Sequence, residues 1–149
     1  RRLNGQMAPT IAVATEGAPL REGHIYIAPG GDYHLEVRPG KTPTCHLLAA
    51  DRVSGHRPSV DVLFRSAVPM AAQSLGVILT GMGRDGAEGM RSLRQAGGRC
   101  FAQDEQSSVV FGMPRVALEL GGAEMAVPLD DIGQKILRMT DAKSGDKNE

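Results

Sequence analysis

Residues 75–90 read L-G-V-I-L-T-G-M-G-R-D-G-A-E-G-M, and the fold class turns on them. Leu75–Leu79 is a continuous apolar run, the pattern of a parallel strand covered on both faces. Thr80–Gly86 is a glycine-dense loop. Ala87–Ala96 follows as a helix, with Met90, Leu93 and Arg94 on related faces and Gly97-Gly98 as its stop. Strand, short loop and helix in that order open a βαβ unit.

Downstream the alternation continues. Arg99–Gln103 reads as a strand and Asp104–Ser108 as a polar loop. Pro114–Leu120 is helical, since proline is tolerated in a first turn, and Gly121-Gly122 stops it. Glu124–Val127 is a short strand. Asp130–Met139 carries Ile132, Ile136, Leu137 and Met139 on one helical stripe. Residues 141–149 are polar and read as a disordered tail. Strand and helix in strict alternation imply right-handed crossovers. The expected class is α/β: a doubly wound, mostly parallel sheet.

Upstream the pattern differs. Ser59 is a candidate N-cap for a helix bearing Val60, Leu63, Phe64, Ala67 and Ala71, with Asp61 in its first turn. Pro69 should kink or end that helix. Ile25–Ala28 and Tyr33–Val37 are strand-like runs joined by Pro29-Gly30-Gly31-Asp32, which predicts an antiparallel β-hairpin between them. Thr10–Ala14 and Cys45–Ala49 read as further short strands, and Asp51–Gly55 as loop.

Composition bounds the function. The 149 residues suit one domain. The 17 basic and 17 acidic residues cancel, which argues against a nucleic-acid or membrane-surface partner. No run of 18 apolar residues occurs, so no inserted membrane helix is expected. Two distant cysteines, Cys45 and Cys100, read as cytosolic thiols. The 19 glycines nearly double the usual share of about 7%. The chain starts with Arg1, and we read it as a fragment of a longer polypeptide.

In doubly wound folds, reactive groups collect at the carboxyl ends of strands. Here such an end presents Met82, Arg84 and Asp85 between Gly81, Gly83 and Gly86. An acid there can orient a histidine, and an exposed amide can stabilise an oxyanion. The plainer alternative is a structural turn with a solvated aspartate. A third reading is dinucleotide binding: residues 81–86 fit G-x-G-x-x-G, and Asp104 stands where a ribose-binding acid belongs. Asp85 weighs against it, because an anion inside the loop repels a pyrophosphate.

The remaining candidates are weaker. His24, His34 and His46 lack ligand spacing and read as surface or strand-pairing residues. No C-x-x-C or H-E-x-x-H occurs, so no metal is expected. No G-x-S-x-G nucleophile elbow occurs either. Ser107 and Ser108, beyond a strand end, are candidate substrate contacts or turn residues. His56 and Arg57 open the first helix from a loop and are candidate substrate contacts or capping and surface groups.

Four ordered stretches carry a family resemblance: Gly23–Leu35 (G-H-I-Y-I-A-P-G-G-D-Y-H-L), His56–Ala67 (H-R-P-S-V-D-V-L-F-R-S-A), Gly76–Met90, and Phe101–Pro114 (F-A-Q-D-E-Q-S-S-V-V-F-G-M-P). The chain resembles the catalytic domain of the bacterial chemotaxis protein-glutamate methylesterase from about Leu3 to Met139. That implies residues 1–140 are the C-terminal part of such a domain. It implies a cytoplasmic serine hydrolase, with no cofactor, that demethylates chemoreceptor glutamates and in many members deamidates glutamines. Asp85 matches the family's triad acid. Met82 matches the residue whose backbone amide completes the oxyanion hole. A phosphorylated receiver domain often precedes the esterase in this family.

The family's nucleophilic serine and its histidine lie in motifs that precede this region, and neither motif occurs here. The expectation is that these 149 residues alone are not a competent methylesterase. Strands missing from the centre of a sheet should also leave apolar edges prone to association. The competing expectations are a noncatalytic remnant that binds receptor or another partner, and the dinucleotide module.

Overall fold

The computed structural model describes residues 8–148, with side chains described up to Thr140. Among the described residues there are seven strands: β1 (Thr10–Val13), β2 (His24–Ile27), β3 (His34–Arg38), β4 (Thr44–Leu48), β5 (Leu75–Ile78), β6 (Arg99–Gln103) and β7 (Ala126–Val127). The helices are α1 (Val60–Ser66), α2 (Ala87–Gln95), α3 (Met113–Glu119) and α4 (Leu129–Asn148), with a 3₁₀ segment at Val68–Gln73.

The α/β class and its mostly parallel pairing are as expected. β5, β6 and β7 form one parallel ladder, with Val77 opposite Phe101 and Gln103 opposite Val127. Side chains on β6 alternate between two layers, as a period of two requires. Cys100 and Ala102 pack with Met90 and Leu93 of α2 and Ala117 of α3. Phe101 points the other way, onto Val127 and Ile132 of α4. The sheet is therefore covered on both faces, which is why residues 75–79 read as unbroken apolar sequence.

The hairpin needs correction. β2 does not pair with β3. It pairs parallel with β1, Ile11 opposite Ile25 and Val13 opposite Ile27. The antiparallel hairpin is β3–β4, with His34 opposite Leu48 and Arg38 opposite Thr44. Pro39-Gly40 lies in the connection between β3 and β4. The Pro29–Asp32 segment is a genuine turn, with Gly30 and Gly31 at positive φ, but it redirects the chain to a separate pairing. Turn chemistry identifies a reversal. It does not say whether the strands on either side meet.

Among the described residues the β1–β2 ladder has no partner strand in the β5–β6–β7 ladder. Ile11, Val13, Ile25 and Ile27 share one face of β1–β2 and are 45–60% exposed.

Ser59 caps α1 in extended backbone (φ −108°, ψ 135°), its hydroxyl accepting from Val62 N–H. Pro69 sits in the first turn of the 3₁₀ segment, so the α-helix ends before it. α4 continues past Met139 to Asn148, over positions whose polar composition reads as a disordered tail. Glu149 lies outside the described residues. Cys45 and Cys100 are buried free thiols in β4 and β6, and burial pushes both thiols above the ordinary range.

Candidate active site

β5 ends at Ile78, and the next residues must turn the chain into α2. Gly86 makes that turn at φ +97°, a conformation L side chains resist, and a β-carbon there would stand 2.9 Å from both Ile78 and Val60 side-chain atoms. The loop between carries Met82, Arg84 and Asp85, as expected.

Asp85 is not a solvated aspartate. It is 2% exposed, and its carboxylate is held by three donors on the start of α1. Oδ1 accepts from Ser59 Oγ (2.8 Å) and Asp61 N–H (3.1 Å), and Oδ2 accepts from Val60 N–H (2.7 Å). A helix start has unpaired N–H groups and a partial positive charge, so a carboxylate there is well placed. A carboxylate offers about four acceptor sites. Three are taken, which leaves one on Oδ2. The contact is reciprocal: Asp61 Oδ1 of α1 accepts from Gly89 N–H of α2 (2.7 Å), while Asp85, in the loop before α2, accepts from the start of α1.

His34 takes the strand-pairing half of its expected role, opposite Leu48 in the β3–β4 ladder, and it is fully buried. Its Nε2–H donates to the Asp51 carbonyl (2.7 Å), and its Nδ1 accepts from Ser59 N–H (3.0 Å). That pair of partners selects one neutral tautomer. His34 thus supports Ser59, and Ser59 supports Asp85. No spacing rule links positions 34, 59 and 85.

Met82 is 77% exposed. Its backbone N–H donates to no described residue. Arg84 is exposed and without a described polar partner. His56 is also exposed, and its Nε2 lies 3.9 Å from where a β-carbon on Gly83 would stand. His56 therefore stands beside the Gly81–Gly86 loop that carries Met82, Arg84 and Asp85.

The other expected site residues are committed elsewhere. Arg57 donates from Nε to the Gly31 carbonyl (2.7 Å) and from Nη1 to the Ala50 carbonyl (3.1 Å), and its Nη2 stands 3.5 Å from Asp32. It clamps two loops. Ser107 Oγ donates to Asp104 Oδ1 (2.6 Å) and accepts from Leu129 N–H (3.0 Å), while Ser108 Oγ donates to the Asp104 carbonyl (2.6 Å). Both serines close a turn, the plainer of their two readings. Asp104 is spent in the same turn, which leaves the dinucleotide reading without its ribose acid. Gln103 was not singled out by sequence, yet it is buried and accepts from Thr80 N–H (2.8 Å) at the strand end.

Asp85 is thus buried and anchored to a helix start, three residues from the free peptide N–H of Met82. The CheB methylesterase family model matches residues 1–136. The chain belongs to the CheB methylesterase family. It is 53% identical over 143 residues to the protein-glutamate methylesterase/protein-glutamine glutaminase of Agrobacterium fabrum, covering 95% of this chain and 41% of that protein. Against the enzyme of the same name from Bordetella pertussis the identity is 50% over 139 residues, 92% of this chain and 40% of that one. The chain thus spans about two-fifths of the length of these curated relatives. The crystal structure of the Thermotoga maritima CheB methylesterase catalytic domain superposes with a TM-score of 0.84 at 34% identity, over 93% of this chain and 74% of that one. The expected α/β fold and family are both borne out.

Proposed function

We propose that this chain supplies the acid and one oxyanion donor of a protein-glutamate methylesterase/protein-glutamine glutaminase. The substrates are methyl-esterified glutamates, and in some cases glutamines, on chemoreceptors. In this reading a serine attacks the ester carbonyl and a histidine takes its proton. Asp85 holds that histidine in the correct tautomer and steadies the imidazolium. The unused acceptor site on Oδ2 is where the imidazole N–H would dock. The Met82 N–H faces the developing oxyanion, the imidazolium returns its proton to the departing methanol or ammonia, and a water then cleaves the acyl-serine to release the glutamate carboxylate. His56 and Arg84, exposed at the Gly81–Gly86 loop, contact the receptor around the scissile group. The observation that carries the reading is the Asp85 carboxylate, buried and oriented yet one acceptor short of saturation.

The family's serine and histidine motifs do not occur in these residues, so the 149 residues alone should not turn over. Removing a nucleophile or base leaves binding and oxyanion effects, a loss of about a million-fold. The acting protein is cytoplasmic and carries both motifs, with or without a receiver domain. Among the described residues no helix is long and apolar enough to cross a membrane, which supports a receptor reached from solution.

Methanol release from methylated receptor tests this. The purified chain is expected to release none. In the full enzyme Asp85→Asn should lower kcat by about 10⁴ by presenting the wrong hydrogen-bond pattern to the histidine. Serine-dependent turnover by the chain alone, or full activity in Asp85→Asn, refutes the assignment.

A further inference from the structure

The amide of Met82 is useful only if the loop holds it still, and Thr80–Gly83 contains no regular structure to do so. What holds it is the segment Val110–Met113, just before and at the start of α3. Gly81 N–H donates to the Val110 carbonyl (2.9 Å), and the Gly81 carbonyl accepts from Gly112 N–H (3.1 Å) and Met113 N–H (2.8 Å). Thr80 Oγ1 donates to the Val110 carbonyl (3.1 Å) and accepts from Val110 N–H (2.8 Å). Five hydrogen bonds therefore stitch the two segments together within four residues of each.

Gly112 lies at the tightest point of this seam. Its φ of −100° and ψ of −71° are right-handed helical values open to any residue. It is also the N-cap of α3, where serine or aspartate would serve at least as well, by about a few tenths of a kcal/mol. Neither its dihedrals nor its capping position calls for glycine. Clearance does. A β-carbon at Gly112 would stand 2.8 Å from the Gly81 carbonyl oxygen, 3.1 Å from Gly83 N and 3.3 Å from Met82 Cα. All three are backbone atoms of the oxyanion loop, and none can rotate aside.

We propose that Gly112 is a positioning residue for the oxyanion hole: its missing side chain lets Val110–Met113 grip Gly81–Gly83 directly and so sets where the Met82 N–H points. The inference rests on Met82 being the oxyanion donor. An added methyl moves the loop by about half an ångström, the whole tolerance of a preorganised site. Misplacing one such donor costs about 10²-fold in kcat.

Gly122 provides a matched control. A β-carbon there meets Arg91 N at 2.8 Å and the Ala87 carbonyl at 3.2 Å, an equal backbone clash beyond the far end of α3. In the full enzyme, Gly112→Ala is expected to lower kcat about 10²-fold with KM within about twofold. It should also shift the Met82 amide resonance in a ¹⁵N-methionine-labelled sample. Gly122→Ala should lower the melting temperature without either change. Should Gly112→Ala not fold, Thr80→Val removes two of the five stitches with no added bulk. It should lower kcat several-fold and shift the same resonance. Unchanged kcat in Gly112→Ala, or in Thr80→Val where that variant stands in, overturns the proposal. So does an equal loss in Gly122→Ala. Wild-type activity that survives Asp85→Asn instead refutes the underlying function, which separates the two failures.

Discussion

Asp85→Ala should unfold the start of α1 as well as disable the acid. The carboxylate accepts from Ser59 Oγ, Val60 N–H and Asp61 N–H, and Ser59 and Asp61 are themselves buried. Alanine leaves these donors with no acceptor and no room for bulk water. Hydrogen bonds to a charged group contribute about 1.5–3 kcal/mol each, and a stranded buried donor costs about 1–3 kcal/mol. The three share one carboxylate, so the values do not add. Removing that carboxylate also removes its own desolvation cost, which offsets part of the loss. The groups left behind are neutral, so the net expectation is about 2–4 kcal/mol, set by the stranded donors rather than by a residual buried charge. Against a total stability of about 5–15 kcal/mol this is severe. Urea unfolding of wild type, Asp85→Ala, Ser59→Ala and the double variant measures it. The double-mutant cycle should show at least about 1 kcal/mol of coupling between Ser59 and Asp85. A loss below about 1 kcal/mol in Asp85→Ala, or strict additivity with Ser59→Ala, would refute the anchoring role. An inactive alanine variant therefore says little about chemistry unless its fold is checked, and Asp85→Asn is the better kinetic probe.

His34→Phe keeps the volume but strands the Ser59 N–H and the Asp51 carbonyl, so stability should fall by about 2–4 kcal/mol in the same urea assay. Unchanged stability would mean the buried imidazole is not holding Ser59. For Glu124, burial pushes the carboxyl up, while the Cys100 N–H (2.9 Å) and the Arg99 guanidinium outweigh it and leave the group below its ordinary value of 4.5. A depressed carboxylate stabilises the fold above its unfolded pKa, and that contribution is lost as pH falls through the folded pKa. Wild type should therefore melt above Glu124→Gln at pH 7, with the gap closing as the pH drops below the ordinary glutamate range. A gap that persists or widens in acid would show that the Cys100 and Arg99 contacts do not favour the ionised form.

The legible parts of the molecule were those ruled by local chemistry. Leu75–Leu79, Arg99–Gln103 and the glycine stops around them announced a βα rhythm, and β5, β6 and α2 formed within a residue or so of expectation. Ser59 announced itself as a cap. The Gly81–Gly86 loop marked the strand end where Met82 and Asp85 stand. Partner choice was not legible. Pro29–Asp32 looked like the apex of a hairpin, yet its flanking strands pair elsewhere, because register and partner are settled by which faces can be buried together. Ser107 and Ser108 looked available, but hydroxyls near a turn aspartate are readily captured by it.

What the sequence by itself determined is the family, the alternating architecture and the two residues, Met82 and Asp85, on which the proposed chemistry rests. The architecture follows from residue types and spacings within short windows, while the family and the two residues follow from the resemblance carried by four ordered motifs. Only the tertiary structure decided what holds them. His34, Ser59 and Asp85 lie 25 or more residues apart in pairs and meet through single hydrogen bonds. Gly112 approaches Gly81–Gly83 from across a separate strand and loop. Contacts of that kind depend on how close two backbones come. That distance is set by the packing of α1, α2 and α3 around β5 and β6, and no local pattern encodes it.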